Sequence, residues 1–398
     1  MLFNRPRAAA IMREQGLDAL LASTLQNIFY LSGFWNENFA IVPRTTQAYA
    51  VVVRDELDVP SVVAGVGDAN AVLTSCPPQT LATFFGSFFR YESPNVRLEA
   101  PERRVIDRIT GPEVRPNGLE ALVAALKQRG LTRGVIGYDE RGLGEKATSA
   151  LRSQFPQVEF RPAEALFLRI RAVKTDEEVR RLQGAVVATE AAVRAAMAIA
   201  QPGVTESEMI REFEKTIVVE GGRPFFTQIY FGRRGAMGAQ PIANGVLRRG
   251  DIIRFDVGCV YQGYCSDIAR NFSLGDPGER LRRLHAATVV AEDEALKVLR
   301  PGAKASQVFN AGVEAARAAG IVDYNRHHIG HAVGLDVYEM PILSANDHTL
   351  IEEGMTFEVE TPYYELGSAG LQPEDTVLVT RREPRLLTTL PRELVVIE

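Results

Sequence analysis

Residues Asp251–Asn271 read DIIRFDVGCVYQGYCSDIARN, and this stretch decides the fold of the C-terminal half of the chain. β-Branched and aromatic residues lie on both sides of Gln262–Gly263, and each side is typical of a β-strand. The Gln-Gly pair suits a tight two-residue turn. The stretch therefore predicts a β-hairpin in which Tyr261 faces Tyr264.

The same hairpin carries two acidic residues, Asp256 and Asp267. With a two-residue turn, Gly258 faces Asp267, and Asp256 shares the face of Gly258 because strand side chains alternate. The two carboxylates are therefore predicted to be diagonal neighbours on one face of the sheet. Buried like charges at that spacing repel, so either one carboxylate takes up a proton or a cation lies between them.

Three segments further along the chain favour the cation. His331 precedes an apolar run, Glu360 ends the strand-like segment Gly354–Glu360, and Glu374 lies in Gly370–Thr376. Two Asp, one His and two Glu form an oxygen-rich set that suits two divalent metal ions bridged by carboxylates. Four carboxylates also balance two dications, which offsets a charge cluster that would otherwise be costly to bury.

The composition is that of an ordinary globular protein, since 46% of the 398 residues are hydrophobic and 24% are charged. This length predicts two domains. A net charge of −5 without a long basic run gives no indication of nucleic acid or a membrane surface as a partner. The N-terminus lacks a signal-peptide pattern, and the three cysteines (Cys76, Cys259 and Cys265) cannot all pair. We therefore expect free thiols and a cytoplasmic protein.

The N-terminal half alternates helix-like and strand-like segments, which is typical of an α/β domain. The predicted helices are Arg5–Gln15 and Leu119–Arg129, and the predicted strands are Leu17–Ala22, Tyr49–Val53 and Val135–Asp139. Aromatic side chains of one further segment are predicted to pack in a core or at a domain interface. They are Phe84, Phe85, Phe88, Phe89 and Tyr91.

The domain boundary is expected near Arg161–Lys174, which gives domains 1–165 and 166–398. Thr175 with Glu178, and Thr205 with Glu208, have the spacing of capping boxes and predict the starts of two helices. Two further helices are predicted at Glu279–Leu299 and Ser306–Ala319. The C-terminal half thus alternates strands with long helices.

The chain resembles the creatinase/prolidase/methionine aminopeptidase family, the pita-bread metallopeptidases. The matching stretches are, in order, NIFYLSGF (27–34), DVG (256–258), GYCSD (263–267), GHAVGLDVYEMP (330–341), GMTFEVE (354–360) and PEDTVLVT (373–380). They indicate the prolidase/Xaa-Pro aminopeptidase branch with a creatinase-type N-terminal domain. The implied fold is an α/β N-terminal domain plus an α+β pita-bread catalytic domain with a curved antiparallel sheet.

The resemblance also implies a site and an activity. The implied metal ligands are Asp256, Asp267, His331, Glu360 and Glu374. They would hold two divalent ions, with Mn or Co favoured, although Fe and Zn also tolerate this ligand set. The implied reaction is hydrolysis of an amide bond in a small peptide or peptide-like substrate by a metal-bridging hydroxide, as in an Xaa-Pro dipeptidase or aminopeptidase. Glu360 would pass a proton to the leaving amine, His327 would contact the substrate, and the protein would be a homodimer.

Three positions depart from the family's pattern. Ala239 and Tyr338 stand where the peptidases usually have histidine, and Gln372 stands where the prolidase branch usually has arginine. The histidines would donate hydrogen bonds to the scissile carbonyl and its oxyanion, and losing one such donor costs about 2.7–4 kcal/mol. Tyr338 can replace such a donor through its hydroxyl group, whereas Ala239 cannot.

These departures keep other activities open. One alternative is a specialised non-peptide C–N hydrolase or lyase on the same scaffold, similar to creatinase or ectoine hydrolase. Another is a catalytically silent binding or scaffold protein, against which the complete set of candidate ligands argues. Fold resemblance alone does not choose among these.

Overall fold

The computed structural model describes residues 2–43, 45–87, 90–238 and 244–398. The chain forms two compact units, Met1–Arg171 and Ala172–Glu398. Within the described ranges, no helix has both the length and the apolar character needed to cross a bilayer. The three cysteines, all within these ranges, are free thiols, as predicted.

The N-terminal unit is built on a six-stranded mixed sheet. Its helices are α1 (Arg5–Glu14), α2 (Leu25–Ser32), α3 (Asn38–Ile41), α4 (Ala69–Ser75), α5 (Ala100–Ile109), α6 (Gly118–Gln128), α7 (Glu145–Gln154) and α8 (Glu164–Arg171). Its strands are β1 (Ala19–Ala22), β2 (Tyr49–Val53), β3 (Glu56–Gly65), β4 (Leu81–Phe85), β5 (Gly134–Tyr138) and β6 (Val158–Pro162). The strand order is β4-β3-β2-β1-β5-β6, and β1 pairs antiparallel with β2 but parallel with β5. This mixed pairing confirms the α/β prediction.

Most of the helices and strands that the sequence predicted for this unit are present in the structure. Strand β2 has the predicted bounds, and α6 begins one residue before the prediction because the Asn117 side chain caps it by accepting from the Glu120 backbone N–H. Leu21, Val51 and Ile136 belong to the buried core of this sheet. The predicted strands at β1 and β5 are therefore confirmed as core strands.

The predicted aromatic cluster is only partly buried. Phe84 is buried in β4, whereas Tyr91 is exposed, so the prediction is wrong for Tyr91. The reason is that β4 ends at Phe85, and Tyr91 follows in the irregular segment before α5. Phe88 and Phe89 lie outside the described residues.

The C-terminal unit combines four long helices with a large antiparallel sheet. Its helices are α9 (Asp176–Ala198), α10 (Glu206–Val219), α11 (Glu279–Val298) and α12 (Ala305–Ala318). Its strands are β7 (Arg223–Phe231), β8 (Ile252–Tyr261), β9 (Tyr264–Cys265), β10 (Ile268–Leu274), β11 (Gly330–Ala332), β12 (Glu339–Ile342), β13 (Thr356–Glu360), β14 (Tyr363–Tyr364), β15 (Gly370–Leu371), β16 (Glu374–Leu378), β17 (Arg385–Leu386) and β18 (Val395–Ile397). The main path β12-β11-β13-β16-β10-β8-β7 is antiparallel at every step, which confirms the expected antiparallel sheet.

Strands β8, β9 and β10 form the predicted hairpin. Tyr261 pairs with Tyr264, and Val257 pairs with Ile268, in the predicted register. Gln262 has φ 49° and the following glycine has φ 89°, the positive values that a two-residue turn of this kind requires at both positions.

Both predicted capping boxes are present. The Thr175 side chain accepts from the Glu178 backbone N–H, and the Glu178 carboxylate accepts from the Thr175 N–H. Thr205 and Glu208 make the same reciprocal pair at the start of α10. These contacts satisfy N–H groups that the helix itself leaves unpaired, and they fix where each helix begins.

All four helices cover one face of the large sheet. Helices α9 and α10 pack on β7, β8 and β10 around Phe255 and Val257. Helices α11 and α12 pack on β11, β13 and β16 around Phe357 and Val359. Because strand side chains alternate, Asp256 and the other even-numbered residues of β8 point to the opposite face.

Candidate metal centre

The predicted ligands lie in rows across the face of the large sheet that the helices leave uncovered. In the first row, Asp256 pairs with Ala269, Ala269 with Glu374, and Glu374 with Glu360. Neighbouring strands lie about 4.8 Å apart, so this row places three carboxylates across four strands. Strand register therefore assembles side chains that are far apart in the sequence.

The second row holds the other two predicted ligands, Asp267 and His331. His331 pairs with Glu358, two residues before Glu360 on the same face of β13. The ligand atoms of Asp267, His331 and Glu374 all lie within 4.8 Å of one another, and all three side chains are buried. His331 Nε2 lies 3.7 Å from Asp267 Oδ2.

Two side-chain atoms of this group are free to bind a metal ion. Among the described residues, Asp267 Oδ1 and His331 Nε2 have no hydrogen-bond partner, although both are buried. His331 Nδ1 lies 3.2 Å from the Ala332 carbonyl oxygen, which can only accept, so Nδ1 carries the proton. Nε2 of the neutral ring therefore keeps its lone pair, the form in which histidine binds metals. Imidazole nitrogen and carboxylate oxygen fit a divalent transition-metal ion.

Burial and mutual repulsion make the carboxylates reluctant to ionise without a cation. Burial, followed by repulsion from neighbouring carboxylates, raises the pKa of Asp267 and Glu374 well above the ordinary range. Burial also raises the pKa of Glu360 to about 7, while Arg326 opposes the shift. Burial lowers the pKa of His331 to about 4, so the imidazole is neutral at pH 7. Divalent ions would stabilise the ionised carboxylates.

Asp256 and Glu360 lie beside this group and contact cationic side chains. Arg254 Nη2 lies 3.4 Å from Asp256 Oδ2, and Arg326 Nη2 lies 3.8 Å from Glu360 Oε2. His328 Nδ1 lies 3.2 Å from Glu360 Oε1. The role of all five residues as ligands stays a prediction.

A third row contains Gln372, which stands in place of the branch's usual arginine. Its Nε2 lies 3.4 Å from Glu360 Oε2 and 3.5 Å from Glu374 Oε2. Its Oε1 accepts hydrogen bonds from Arg254 at 3.0 Å and from the Tyr364 hydroxyl at 2.7 Å. Gln372 therefore links the carboxylates to a guanidinium group that another strand supplies.

Tyr338 lies directly on the candidate ligand His331. The two rings stack with centroids 3.6 Å apart, and the Tyr338 hydroxyl is 3.5 Å from His328 Nε2. Tyr338 is 52% exposed, so it borders the site from the solvent side. Partial burial and repulsion from nearby carboxylates, Glu360 foremost, raise the pKa of this phenol, which stays a hydrogen-bond donor at neutral pH.

Of two adjacent histidines, the structure places His328 rather than His327 against Glu360. His327 is exposed, and its ring centroid lies 4.3 Å from that of His328. Burial and the neighbouring imidazoles lower the pKa of His328 to about 3, so the ring is neutral. Sequence analysis predicted a substrate contact for His327 and gave His328 no role in the site.

Sequence analysis also missed Arg254 and Glu358. Each lies two residues before a predicted ligand, Asp256 and Glu360 respectively, so strand alternation was a signal that could have found both. Glu358 is fully buried, and burial raises its pKa well above the ordinary range. Ala239, which stands in place of a family histidine, lies outside the described residues.

Comparison with known proteins agrees with this geometry. The family model "Metallopeptidase family M24" matches residues 180–381, and "Creatinase/Prolidase N-terminal domain" matches residues 5–173. The Xaa-Pro dipeptidase of Pyrococcus furiosus is 32% identical over 238 residues, which cover 59% of this chain and 68% of that protein.

Solved structures show the same fold over nearly the full length. The dipeptidase from Pyrococcus horikoshii OT3 superposes with a TM-score of 0.78 at 24% identity, and the X-Pro aminopeptidase from Thermotoga maritima MSB8 with 0.76 at 22% identity. Each comparison covers 99% of both chains. The pita-bread architecture is thereby confirmed. With a family model matching more than half of its residues, the chain belongs to metallopeptidase family M24 and carries a creatinase/prolidase-type N-terminal domain.

Proposed function

We propose that the protein is a dinuclear metal-dependent hydrolase of the Xaa-Pro dipeptidase or aminopeptidase type, which cleaves an amide bond in a short peptide. The observation that carries the proposal is the convergence of Asp267, His331 and Glu374, with Asp267 Oδ1 and His331 Nε2 unpartnered among the described residues. The relative named Xaa-Pro dipeptidase supports the choice of substrate.

Five residues of the C-terminal unit would hold two divalent ions. They are Asp256, Asp267, His331, Glu360 and Glu374. When bound, the ions supply an acidified water and polarise the carbonyl under attack. Manganese or cobalt is the favoured metal, because carboxylates dominate the set and only one imidazole is present.

Glu360 is the proposed carrier of the proton that the leaving amine needs. Its Oε1 lies against His328 Nδ1, and its Oε2 lies near the Gln372 amide. The Gln372 amide donates to the carboxylate and orients it at the edge of the ligand group, whereas His328 Nδ1 accepts from the Gly330 N–H and donates no hydrogen bond to it. A carboxylate held there can take a proton and release it to the amine nitrogen.

Tyr338 and His327 are proposed to position the substrate. The Tyr338 hydroxyl is a protonated donor at the solvent-facing side of His331, where it can hydrogen-bond the scissile carbonyl and the oxyanion that forms from it. His327 is exposed beside His328 and can contact the part of the substrate that extends towards solvent.

The test is an assay of the purified protein after metal removal and reloading with Mn²⁺ or Co²⁺. Xaa-Pro dipeptides and longer Xaa-Pro peptides are compared with creatine as a non-peptide C–N substrate. We expect metal-dependent release of the N-terminal residue from at least one peptide set. Full metal occupancy with no peptide turnover would contradict the proposal, and turnover of creatine alone would favour the non-peptide alternative that Gln372 and Tyr338 suggest.

Two further properties are proposed with the function. The three free thiols support a cytoplasmic location, where thiols stay reduced. A homodimer is expected from the family, and its test is the molecular mass in solution. A mass equal to the sequence mass of 43.8 kDa over the full range of working concentrations would exclude the dimer.

A further inference from the structure

The loop 333–338 follows β11, which carries His331, and ends with Tyr338. The Tyr338 ring stacks on the His331 ring with centroids 3.6 Å apart. Burial lowers the pKa of His331 to about 4, and the backbone carbonyl groups of Ala332 and Val337 oppose the shift, so both carbonyl groups face the imidazole. The conformation of this loop therefore determines how the proposed metal ligand and the proposed hydrogen-bond donor are oriented.

Glu339, the residue directly after this loop, holds the loop's backbone. Its Oε1 accepts hydrogen bonds from the N–H groups of Leu335 at 3.1 Å and Asp336 at 3.4 Å. An added Cβ at Gly334 would lie 2.8 Å from both carboxylate oxygens of Glu339, so the loop closes tightly around this carboxylate. Hydrogen bonds to an ionised acceptor are stronger than neutral ones, which makes Glu339 an effective anchor for the loop.

The second oxygen of the same carboxylate binds Lys174. Lys174 Nζ lies 3.0 Å from Glu339 Oε2, and the two side chains are 1% and 2% exposed. The backbone of Lys174 is fixed as well, because its N–H donates to the Gly354 carbonyl oxygen at 2.9 Å. Removing one partner of a buried ion pair is strongly destabilising, because the other charge is left without compensation. Lys174 therefore fixes the carboxylate that in turn fixes the loop.

Two neighbouring segments hold the start of the loop. The Cys265 N–H donates to the Gly334 carbonyl oxygen at 2.8 Å, and the Thr356 hydroxyl donates to the Val333 carbonyl oxygen at 2.7 Å. These contacts attach the loop to the hairpin and to β13. Glu339 holds the next two residues, through which the chain reaches Tyr338.

We propose that Glu339, held by Lys174, is a positioning residue that aligns the His331 ring and the Tyr338 hydroxyl group through the loop 333–338. This inference rests on the proposed function, in which His331 binds metal and Tyr338 contacts the substrate. Glu339 itself contacts neither the metal nor the substrate. Residues that orient a metal ligand from outside the ligand set typically contribute about 10- to 100-fold to metal affinity, so the role is measurable.

The experiment compares two double variants that differ by one hydrogen-bond acceptor. Lys174→Met/Glu339→Gln removes both charges but keeps an amide oxygen that can accept from the loop N–H groups. Lys174→Met/Glu339→Met removes that acceptor as well. Calorimetric titration of the metal-free proteins with Co²⁺ should give nearly the wild-type affinity for the glutamine variant and an affinity about 10- to 100-fold lower for the methionine variant. Equal affinities of the two variants would overturn the positioning role.

The loss of the lysine affects both double variants alike. Burial raises the pKa of Glu178 to about 7, and the Thr175 backbone and Lys174 oppose the shift. Because both variants lack Lys174, this change cancels in the comparison. If the methionine variant does not fold, Glu339→Asp takes its place, since its shorter side chain cannot reach both the lysine and the loop. Wild-type Co²⁺ affinity in Glu339→Asp would overturn the proposal.

A metal-free measurement separates failure of this role from failure of the proposed function. Nitrogen NMR of the histidine rings in chelator should show His331 as the Nδ1–H tautomer in the wild type and in the glutamine variant, because Nδ1 donates to the Ala332 carbonyl oxygen. The methionine variant should show a mixture of tautomers. The His331 signals are identified by their absence in His331→Gln. If the wild type binds no metal, the proposed function fails, and the tautomers then decide the role of Glu339. If the wild type binds metal and both double variants match its affinity, the metal site stands and the role of Glu339 fails.

Glu140→Met is the matched control. Glu140 Oε2 also accepts from two consecutive backbone N–H groups, those of Ala163 at 3.0 Å and Glu164 at 2.9 Å, but it belongs to the N-terminal unit. Its replacement should leave the Co²⁺ affinity and the His331 tautomer at their wild-type values. A loss of affinity in Glu140→Met as large as that in the methionine double variant would show that general loosening of the fold, rather than Glu339, weakens the site.

Discussion

His331 illustrates how a single backbone contact prepares a side chain for metal binding. Its Nδ1 proton is directed at the Ala332 carbonyl oxygen, so Nε2 has a free lone pair that faces Asp267. Tyr338 stacks on the ring and limits its rotation. The neutral ring, the fixed tautomer and the fixed orientation are what a metal ligand needs, and each has a separate structural cause.

Asp267→Asn should change the stability of the metal-free and metal-loaded proteins in opposite directions. The substitution removes one charge from a cluster in which burial and repulsion already raise the pKa of Asp267. At pH 8 without metal, we expect a gain in stability, because the substitution relieves the burial cost and the repulsion that raise the pKa of Asp267. Metal affinity should fall at least about 100-fold. Thermal unfolding with and without chelator, together with elemental analysis, measures both effects.

The control for this variant is Asp276→Asn. Asp276 is an exposed aspartate that pairs with Arg282 at 3.0 Å. Its replacement should leave metal content unchanged and should not stabilise the metal-free protein. If Asp267→Asn instead bound metal like the wild type, Asp267 would not be a ligand.

Tyr338→Phe separates the hydroxyl group from the ring. The phenylalanine ring can keep the stack on His331, so metal content should not change. If the hydroxyl donates to the developing oxyanion, kcat should fall about 10²- to 10³-fold with little change in KM. Steady-state kinetics on a cleaved peptide measures this, with the exposed Tyr91→Phe as a control. An unchanged kcat in a metal-loaded Tyr338→Phe protein would assign Tyr338 to packing alone.

Among the elements, the hairpin of β8 and β10 depends most on exact register. A slip of one residue would turn Asp256 and Asp267 to the helix-covered face, because strand side chains alternate. At Gly258 the backbone of the neighbouring segment approaches closely. A Cβ atom at this position would overlap the Ser266 carbonyl oxygen and lie 2.6 Å from Phe226 Cε1. The absence of a side chain is therefore part of what holds Asp267 in place.

Gly258→Ala should accordingly weaken both the fold and the metal site. Forcing a methyl group into this contact should destabilise the protein by about 1–3 kcal/mol and displace the segment between β9 and β10 that carries Asp267. The measurement is the thermal midpoint with metal titration on the same sample. At Gly65, by contrast, an added Cβ would meet only Asp68 Oδ2 at 3.7 Å, so Gly65→Ala should leave both values unchanged. If Gly258→Ala bound metal with the wild-type affinity, the hairpin would tolerate the added methyl group and the prediction would be wrong.

Element by element, sequence patterns succeeded where the deciding contacts are local. The turn at Gln262–Gly263 and the capping boxes at Thr175 and Thr205 involve residues within three positions of one another, and all are confirmed. Strand alternation could have placed Arg254 on the face of the candidate ligands, but its pairing with Gln372 could not be predicted in this way. Their hydrogen bond joins β8 to the residue two positions before β16, 118 positions apart, so it depends on the register of the whole sheet.

The same limit explains the two adjacent histidines. The family resemblance implied a substrate contact for His327, which stays a prediction, and it gave no role to His328, which the structure directs towards Glu360. These residues lie in the irregular segment before β11, where no period of two or 3.6 determines which side chain faces inwards. The candidate ligands were named from the family's motifs, and their role as ligands stays a prediction, whereas the polar contacts around them required the folded chain.

At the scale of the whole molecule, the buried titratable groups determine how stability depends on pH. His285 lies on α11, away from the candidate metal ligands, and its Nε2 has no hydrogen-bond partner within the described residues. Burial lowers the pKa of His285 from 6.5 to about 4, while Glu393 opposes the shift and Arg270 adds to it. Below pH 6.5 the unfolded chain takes up a proton at this imidazole that the folded chain refuses until about pH 4. This contribution to stability is therefore complete above pH 6.5 and is lost as the pH falls towards 4.

Replacing His285 with glutamine should flatten that part of the pH profile. This pKa shift corresponds to about 3 kcal/mol of stability that the wild type loses between pH 7 and pH 4. The loss for His285→Gln over the same range should be smaller by about 3 kcal/mol.

The measurement is calorimetric unfolding at several pH values in the presence of chelator. A two-unit chain need not unfold in one step, so the transition of the C-terminal unit is first identified as the one whose temperature rises when metal is added. The carboxylates of the metal centre titrate in both proteins, so the difference between the two profiles isolates His285. The exposed His348 provides the control, and His348→Gln should reproduce the wild-type profile. Parallel profiles for the wild type and His285→Gln would mean that the buried imidazole accepts its proton without cost, and acid sensitivity would then have to come from the carboxylates.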